Sequence, residues 1–340
     1  MNGMLNKSCS LIAIIVFCAL AGTACGKPAP KSIDALRGMT TNVSLDFVRN
    51  LNDGPNFSAY LVSYKSAGLK VYAMVAVPRS EKPLHGYPVV VANHGHHPDP
   101  PKYGITADGT DSRPGDYYRA IPALFAAQGF LVVMPDYRGH SDSEGFEFTE
   151  GMLESSYYTE DVATLLAGLS DIEDADLDNV FMWGHSMGGE VTLRTLLVTE
   201  RVRGATIWST VGGEIWDQSY YYSRYENDLE PDGSDVPKSV IDDLRRDIAK
   251  LDGEFDPADV EPLFNLQYLH TPVIIHHSVG DRSAPYKSSE RLARELYLRA
   301  LPYEFYSYPG SDHLFDDETM RAAAARDVAF FQSLLTNRQP

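Results

Sequence analysis

A serine flanked by glycines is the residue of this chain best suited to covalent chemistry. Residues 184–189 read Gly-His-Ser-Met-Gly-Gly, which matches the pattern Gly-x-Ser-x-Gly, and they follow the apolar run 180–183. A strand that runs into a tight glycine-flanked turn and then a helix exposes the serine hydroxyl at the end of the strand. Small neighbours permit the strained turn and let a substrate approach. The pattern therefore predicts Ser186 as a nucleophile.

A serine hydroxyl needs a base to take its proton and an acid to orient that base. Two later loops supply them in the order serine, acid, histidine that this arrangement requires. Asp281 follows the buried-strand pattern at 273–277, and His313 follows the strand-like run at 303–308. The carboxyl ends of neighbouring parallel strands meet at one edge of a sheet. We therefore predict that Ser186, Asp281 and His313 converge there.

Three other carboxylates compete for the role of the acid. Glu214 and Asp217 lie one strand earlier in the chain, where some sheets of this type place the acid. Asp312 is adjacent to His313 in sequence, and a carboxylate so close along the backbone reaches the imidazole ring poorly. The spacing favours Asp281 over all three.

Acyl transfer also needs hydrogen-bond donors for a developing oxyanion. The backbone N–H of Met187 follows the nucleophile at a helix N-terminus, which favours negative charge. A second donor is expected from the loop after the third strand, where residues 93–98 read Asn-His-Gly-His-His-Pro. We predict that this donor is the backbone N–H of His96.

The same histidine-rich loop allows a metal-binding interpretation. His94 and His96 are separated by one residue and Asp99 follows, as in some runs of metal ligands. The acid is displaced from the usual ligand spacing, and no second set of ligands has an evident partner. We expect neither a metal nor another cofactor.

Strand-like and helical runs alternate along most of the chain. The strand-like runs lie at 59–64, 70–77, 88–92, 130–135, 180–183, 205–210, 273–277 and 303–308, and the helical runs lie at 116–128, 157–170, 187–199, 288–299 and 317–335. This alternation predicts an α/β fold, a mostly parallel sheet with helices on both faces. The early strands have no helices between them, which predicts an antiparallel N-terminal edge. Residues 212–270 interrupt the alternation and predict a helical lid insertion over the active-site crevice.

The composition is that of a globular protein with an acidic surface. The 340 residues are 44% hydrophobic and 22% charged, which supports a sizeable core. The chain carries 29 Lys and Arg against 47 Asp and Glu, a net charge of −18. Such a charge argues against nucleic acid as a partner, since the phosphate backbone is itself negative.

The first 25 residues read as an export signal. Lys7 supplies a positive start, and residues 11–21 form an apolar run that is too short to span a bilayer. Residues 19–21 read Ala-Leu-Ala, a small-x-small cleavage site of an ordinary secretory peptide. We expect a protein exported from a bacterial cell.

A second processing site competes with that one and favours a lipid anchor. Residues 22–25 read Gly-Thr-Ala-Cys and resemble a bacterial lipoprotein site, with Gly22 where such sites usually carry leucine. Cys9 and Cys18 lie in the segment to be removed, so Cys25 is left as the lone cysteine. We expect Cys25 to be acylated and to hold the protein at a membrane, with a periplasmic or secreted protein as the alternative.

This interpretation divides the chain into segments. Residues 1–25 are the signal peptide, and residues 26–58 are a tether and lead-in. Residues 59–335 form the catalytic domain, which includes the lid insertion at 212–270.

Four stretches together resemble α/β-hydrolases, in particular the prolyl-oligopeptidase-like and dienelactone-hydrolase-like branch. Residues 136–145 read Asp-Tyr-Arg-Gly-His-Ser-Asp-Ser-Glu-Gly, and they are followed by the serine motif, by Gly-Asp-Arg at 280–282 and by Pro-Gly-Ser-Asp-His at 309–313. The resemblance covers residues 59–335. It implies Ser186 as nucleophile, His313 as base and Asp281 as orienting acid.

The chain departs from this resemblance in two ways. His96 stands where many relatives have glycine, which narrows the expected oxyanion loop. No β-propeller precedes the hydrolase pattern, whereas peptidases of that branch use one to sieve peptides. The expected function is therefore a serine carboxylesterase that works through an acyl-enzyme on a small-molecule ester.

Two other functions remain open. An amidase or exopeptidase would apply the same chemistry to a short peptide. An inactive, lipid-anchored binding protein would keep the scaffold without turnover. Clusters of tyrosine such as 117–118, 157–158 and 220–222 would either line a substrate pocket or pack the interior.

Overall fold

The computed structural model describes residues 27–40, 42–102, 118, 120–151, 153–210, 242, 245–246, 248–251, 255–310 and 312–336. The predicted signal segment with Cys25, the alternative acids Glu214 and Asp217, the tyrosines at 220–222 and most of the predicted lid lie outside these residues.

The described strands form one sheet of nine strands in the order β1-β2-β3-β5-β4-β6-β7-β8-β9. They are β1 (Asp46–Asn50), β2 (Phe57–Ser66), β3 (Leu69–Pro78), β4 (Tyr87–Asn93), β5 (Leu131–Pro135), β6 (Ala175–His185), β7 (Gly204–Trp208), β8 (Val273–Ser278) and β9 (Tyr303–Tyr308). The pairs from β5 through β4 to β9 are parallel, and the pairs β1–β2, β2–β3 and β3–β5 are antiparallel. The predicted mostly parallel sheet with an antiparallel N-terminal edge is confirmed.

Helices cover both faces of this sheet. They are α1 (Ile33–Arg37), α2 (Ala120–Ala126), α3 (Glu154–Gly168), α4 (Met187–Val198), α5 (Tyr286–Leu298) and α6 (Asp317–Ser333). In β4, Val89 and Val91 join the core beneath α3, α4 and α5, whereas Val90 and Ala92 join the core beneath α2 and α6. A strand buried on both faces has to be apolar throughout, which is why the central strands read as continuous hydrophobic runs.

The N-terminal lead-in packs on the domain from residue 27 onward. Ile33 in α1 is buried in the core beneath α3 and α4. Arg37 donates from Nη1 to the Leu197 carbonyl at 2.7 Å, and Tyr157 donates its hydroxyl to the Pro28 carbonyl at 2.6 Å. This stretch, expected to be part of a tether, is therefore a packed element over its described length.

The described end of the predicted lid insertion packs on α4. Residues 257–268 form three short 3-10 turns in which Val260 and Leu266 are buried. Arg194 of α4 donates from Nη1 to the Val260 carbonyl at 2.8 Å. These turns belong to the body of the domain, so the lid interpretation rests on the residues of the insertion outside the described part.

Among the helices that the structure describes, none has the length and apolar character needed to cross a bilayer.

Candidate active site

The serine motif forms a sharp turn between β6 and α4. The strand ends at His185 and the helix begins at Met187, so Ser186 alone makes the connection. Its backbone has φ 56° and ψ −125°, in the left-handed half of conformational space that residues other than glycine rarely adopt. The Ser186 N–H donates to the Trp208 carbonyl of the next strand at 2.9 Å, which ties the strained turn to the sheet. This is the geometry predicted for a nucleophile at a strand end.

Close backbone contacts explain the glycines of the motif. A Cβ atom added to Gly184 would lie 2.3 Å from the Gly188 carbonyl oxygen, and one added to Gly188 would lie 2.1 Å from the Asn93 carbonyl oxygen. Both distances are far below van der Waals contact, so any larger residue would push the start of α4 away from β4 and β6. Glycine at both positions lets the turn pack against the backbone that follows β4.

That backbone is the predicted oxyanion loop, and it passes directly beside Ser186. A Cβ atom added to Gly95 would lie 3.0 Å from Cβ of Ser186. The Gly95 N–H donates to the Tyr118 hydroxyl at 2.9 Å, which leaves the next amide, that of His96, as a donor on this loop. Met187 is the first residue of α4, where backbone N–H groups have no acceptor within the helix.

The side chain of His96 points away from this backbone. It is 58% exposed, and its Nδ1 lies 3.1 Å from Oε1 of Glu154 at the start of α3. The hydrogen bond with Glu154 raises the pKa of His96 above its ordinary value. The imidazole thus links the loop to α3.

His313 and Asp281 meet in the loops that follow β9 and β8. Nδ1 of His313 lies 2.7 Å from Oδ2 of Asp281, whose side chain is fully buried. The other carboxylate oxygen accepts the backbone N–H groups of Ser283 at 2.8 Å and Ala284 at 3.0 Å. Since Nδ1–H donates to the carboxylate, Nε2 of His313 is the nitrogen left to accept a proton.

The charge of Asp281 is stabilised by these donors. Burial alone would raise the pKa of this carboxyl, but the hydrogen bonds from His277 and His313 outweigh it and hold the pKa well below its usual range. His277, on β8, places Nε2 3.4 Å from Oδ2 of Asp281. Asp281 is therefore ionised at neutral pH, as an orienting acid has to be.

Backbone contacts fix the two loops to each other. Gly280 donates its N–H to the Gly310 carbonyl at 2.8 Å. The hydroxyl of Ser278 donates to the Asp312 carbonyl at 3.1 Å. These contacts flank Asp281 on one loop and His313 on the other, so the 2.7 Å contact between the two side chains is held from both sides.

The His313 loop also contacts the residue just before Ser186. Nε2 of His185 lies 2.9 Å from the His313 carbonyl oxygen, and the two imidazole rings are 4.5 Å apart between centroids. The structure therefore brings the predicted Ser186, His313 and Asp281, with Met187 and the loop of His96, to one edge of the sheet.

The histidine-rich loop does not gather metal ligands. Nδ1 of His94 donates to the Gly95 carbonyl at 2.8 Å, His96 is bonded to Glu154, and Asp99 pairs with Lys102 at 2.6 Å. Within the described ranges, no three His, Cys, Asp or Glu side chains are grouped so as to hold a metal ion.

Two residues that the sequence analysis did not assign to the site, Tyr118 and His185, lie inside it. The hydroxyl of Tyr118 is 2.6 Å from Nδ1 of His185, and both side chains are buried. His185 occupies a variable position of the serine motif, so no pattern indicates a role for it. Tyr118 belongs to the tyrosine pair at 117–118, a pattern that allows either a pocket lining or interior packing.

Three buried histidines near the site are expected to make the folded protein less stable at acid pH. Burial lowers the pKa of His94 and His185 well below the ordinary value, and it lowers the pKa of His140 to about 3. Each takes up a proton near pH 6.5 in the unfolded chain but stays neutral in the folded protein. The unfolded state therefore binds more protons below about pH 6.5, and the folded state is destabilised as the pH falls.

We expect each of these histidines to remove about 1.4 kcal/mol of unfolding free energy per pH unit below its unfolded pKa. Urea unfolding at pH 7.0, 6.0 and 5.0 measures how steeply the unfolding free energy falls as the pH is lowered. His140→Gln is expected to reduce this slope by about 1.4 kcal/mol per pH unit, the contribution of one histidine. An unchanged slope in that variant would contradict the assignment of His140.

A buried charge cluster supports the loop after β5. Arg138 is 2% exposed, and its Nη2 lies 2.7 Å from Oδ1 of Asp161 and 3.2 Å from Oε2 of Glu160. Its backbone N–H also donates to Asp161 at 2.9 Å. Lys31 of the lead-in pairs with Glu160 as well. The cluster links the loop to α3 and to the N-terminal segment.

Arg138→Met is expected to lower the unfolding free energy by about 3 to 5 kcal/mol, since it leaves the buried carboxylate of Asp161 without its partner. Denaturant unfolding measures the change. The control is Lys82→Met, which breaks an exposed ion pair with Asp174 and is expected to cost less than about 1 kcal/mol. Equal losses in the two variants would contradict the role given to the buried cluster.

Comparison with known proteins connects this chain to a family. The prolyl oligopeptidase family matches residues 116–338, more than half of the chain. A Bacillus subtilis (strain 168) protein described as an uncharacterized peptidase, YtmA, is 24% identical over 268 residues, which cover 77% of this chain and 88% of that protein. Two further relatives are matched over 51% and 47% of their lengths, so the chain spans about half of each.

Solved structures show the same fold. Acetyl xylan esterase 1 from Thermoanaerobacterium sp. JW/SL YS485 has a TM-score of 0.59 at 15% identity, over 92% of this chain and 96% of that one. The acylaminoacyl peptidase of Pyrococcus horikoshii has a TM-score of 0.61 at 18% identity, over 84% of this chain and 43% of that one. The sheet and its helices are thus the α/β-hydrolase fold. By the match to residues 116–338, the chain belongs to the prolyl oligopeptidase family.

Proposed function

We propose that the protein is a carboxylesterase that cleaves small-molecule esters through a Ser186 acyl-enzyme. The observation that carries the proposal is the contact of 2.7 Å between Nδ1 of His313 and Oδ2 of Asp281, at the sheet edge where the strained Ser186 turn lies. That contact fixes the tautomer in which Nε2 of His313 accepts a proton, as a base for a serine nucleophile must.

In the first half of the reaction, Oγ of Ser186 attacks the ester carbonyl carbon while Nε2 of His313 takes the hydroxyl proton. The oxyanion of the tetrahedral intermediate accepts hydrogen bonds from the backbone N–H groups of Met187 and His96. Asp281 stabilises the imidazolium that forms. The bond between the carbonyl carbon and the alcohol oxygen then breaks, and His313 gives its proton to the leaving alcohol.

In the second half, water replaces the alcohol. His313 takes a proton from the water as its oxygen attacks the acyl carbon, and the same two amides hold the oxyanion. The bond to Oγ of Ser186 then breaks, the serine recovers its proton from His313, and the carboxylic acid leaves. Both halves use the same groups in reversed roles.

Ester substrates are supported by the extent of the structural likeness. The acetyl xylan esterase is matched over 96% of its own length, whereas the acylaminoacyl peptidase is matched over 43%. An exopeptidase or amidase is the second candidate, because the family is one of peptidases and the relative matched over 88% of its length is described as a peptidase. Both candidates use the same Ser186, His313 and Asp281.

A rate screen separates the two. The purified protein is assayed on p-nitrophenyl esters of increasing acyl length and on aminoacyl p-nitroanilides, with a fluorophosphonate probe for Ser186 in parallel. We expect faster turnover of esters and labelling at Ser186. Faster turnover of the anilides would replace the esterase with the peptidase, and absence of labelling would support a binding protein without activity.

We also propose that the protein is exported and that Cys25 is acylated and anchors it to a membrane. The support is that Cys25 is the single cysteine after the apolar run and that the chain packs on the domain from residue 27 onward. Mass spectrometry of the mature N-terminus tests this. A diacylated cysteine is expected, and an unmodified N-terminus at Gly22 would contradict it.

A further inference from the structure

We propose that Tyr118 and His185 form a buried hydrogen-bonded bridge that positions the His313 loop and the Gly95 loop on the two sides of Ser186. The inference rests on the proposed function, since it assigns positioning residues to the same site. Neither residue touches the reacting atoms in this proposal. Each acts through the backbone of a loop that carries a reacting group.

The contacts run in one direction from loop to loop. The Gly95 N–H donates to the Tyr118 hydroxyl at 2.9 Å. The hydroxyl oxygen lies 2.6 Å from Nδ1 of His185, and Nε2 of His185 lies 2.9 Å from the His313 carbonyl oxygen. A carbonyl can only accept, so Nε2 of His185 carries the proton. Nδ1 is then an acceptor, and the Tyr118 hydroxyl donates to it.

Burial makes these contacts consequential. Tyr118 is 2% exposed and His185 is 1% exposed. A buried polar group that loses its partner costs more than the hydrogen bond itself contributes. Burial, with the neighbouring His313, lowers the pKa of His185, so the imidazole keeps the neutral form that the bridge needs.

Aromatic packing fixes the two side chains in place. The His185 ring stacks on Trp183 with an interplanar angle of 15°, and Tyr118 meets the same indole edge-on at 6.0 Å between centroids. His185 also lies against the His313 ring. The bridge is therefore a rigid spacer and sets the separation of the base and the oxyanion loop.

The consequence is specific to the rate of acylation. If the bridge is broken, Nε2 of His313 and the backbone N–H of His96 are no longer held at fixed positions relative to Ser186. The other residues of the site are expected to keep their positions. A small displacement of reacting groups affects the transition state more than substrate binding. We expect kcat to fall with little change in KM.

Tyr118→Phe removes the hydroxyl and keeps the ring. It is expected to lower kcat and the rate of fluorophosphonate labelling about 10- to 100-fold, with KM changed less than about threefold. The matched control is Tyr64→Phe, since Tyr64 is 2% exposed on β2 and its hydroxyl has no hydrogen-bond partner among the described residues. Its kcat is expected to stay within about twofold of wild type.

Substitutions of His185 separate the two ends of the bridge. A glutamine amide reaches the place of Nε2 and still donates to the His313 carbonyl, whereas an asparagine amide reaches only the place of Nδ1. His185→Gln is therefore expected to keep several times more activity than His185→Asn. The double variant Tyr118→Phe with His185→Asn is expected to have a kcat no lower than that of the less active single variant, because both substitutions break the same bridge.

Three results would overturn the bridge. A kcat of Tyr118→Phe within twofold of wild type is the first, and losses in the double variant that multiply are the second. A loss in Tyr64→Phe equal to that in Tyr118→Phe is the third. Nitrogen NMR of the labelled histidines gives a readout without turnover, with a neutral His185 protonated on Nε2 expected in wild type. If wild type neither turns over nor labels, the proposed function fails, and the NMR tautomer alone decides the bridge.

Discussion

Ser186→Ala is expected to lower kcat on the preferred substrate by at least about a thousandfold, and by about a millionfold if the triad acts as a unit. Alanine lacks the oxygen that forms the acyl-enzyme, so the covalent route closes. Its Cβ keeps the contact with Gly95 and its backbone keeps the bond to the Trp208 carbonyl. KM and the unfolding midpoint are therefore expected to stay near those of wild type.

Ser209→Ala is the matched control for this experiment. Ser209 follows the end of β7, the strand next to β6, and it too has a positive φ, 44°. It is fully buried, and within the described chain its hydroxyl has no hydrogen-bond partner. The variant is expected to keep kcat within about threefold of wild type. Equal losses in Ser186→Ala and Ser209→Ala, or more than about 1% of activity left in Ser186→Ala, would contradict Ser186 as nucleophile.

The central strands could be predicted because their side chains are buried on both faces. The runs at 88–92 and 273–277 fall short of β4 and β8 by one or two residues, and the run at 303–308 matches β9, the edge strand that pairs with β8. The edge strand β1 was not predicted. Four of its five residues are exposed, so it has neither an apolar run nor an alternation of apolar and polar positions. Its pairing with β2 decides its conformation.

The difference between local patterns and tertiary contacts also explains which site residues could be predicted from the sequence. Ser186, Asp281 and His313 are each marked by a local pattern at the end of a strand, and chain order relates them. Tyr118 and His185 are 67 positions apart, and His185 and the His313 carbonyl are 128 positions apart. Contacts of this kind depend on how the loops meet after folding, and residue type alone does not specify them.

Asp281→Asn is expected to lower kcat at pH 7 by about ten thousandfold, and the structure gives the reason. Oδ1 of Asp281 accepts two backbone N–H groups, so the carbonyl oxygen of the asparagine has to take that position. The amide nitrogen then faces Nδ1 of His313 and donates to it. That hydrogen bond favours the tautomer with the proton on Nε2, which cannot accept the proton of Ser186.

Asp312→Asn tests whether proximity to His313 in sequence matters. Asp312 is exposed and adjacent to His313, but the buried Asp281 is the carboxylate in contact with the imidazole. Its variant is expected to keep kcat within about threefold of wild type across the pH range. A large loss in Asp312→Asn together with a small one in Asp281→Asn would reverse the assignment of the acid. Near wild-type rates in both would return the role to Glu214 or Asp217, because the base still needs an acid on its far side.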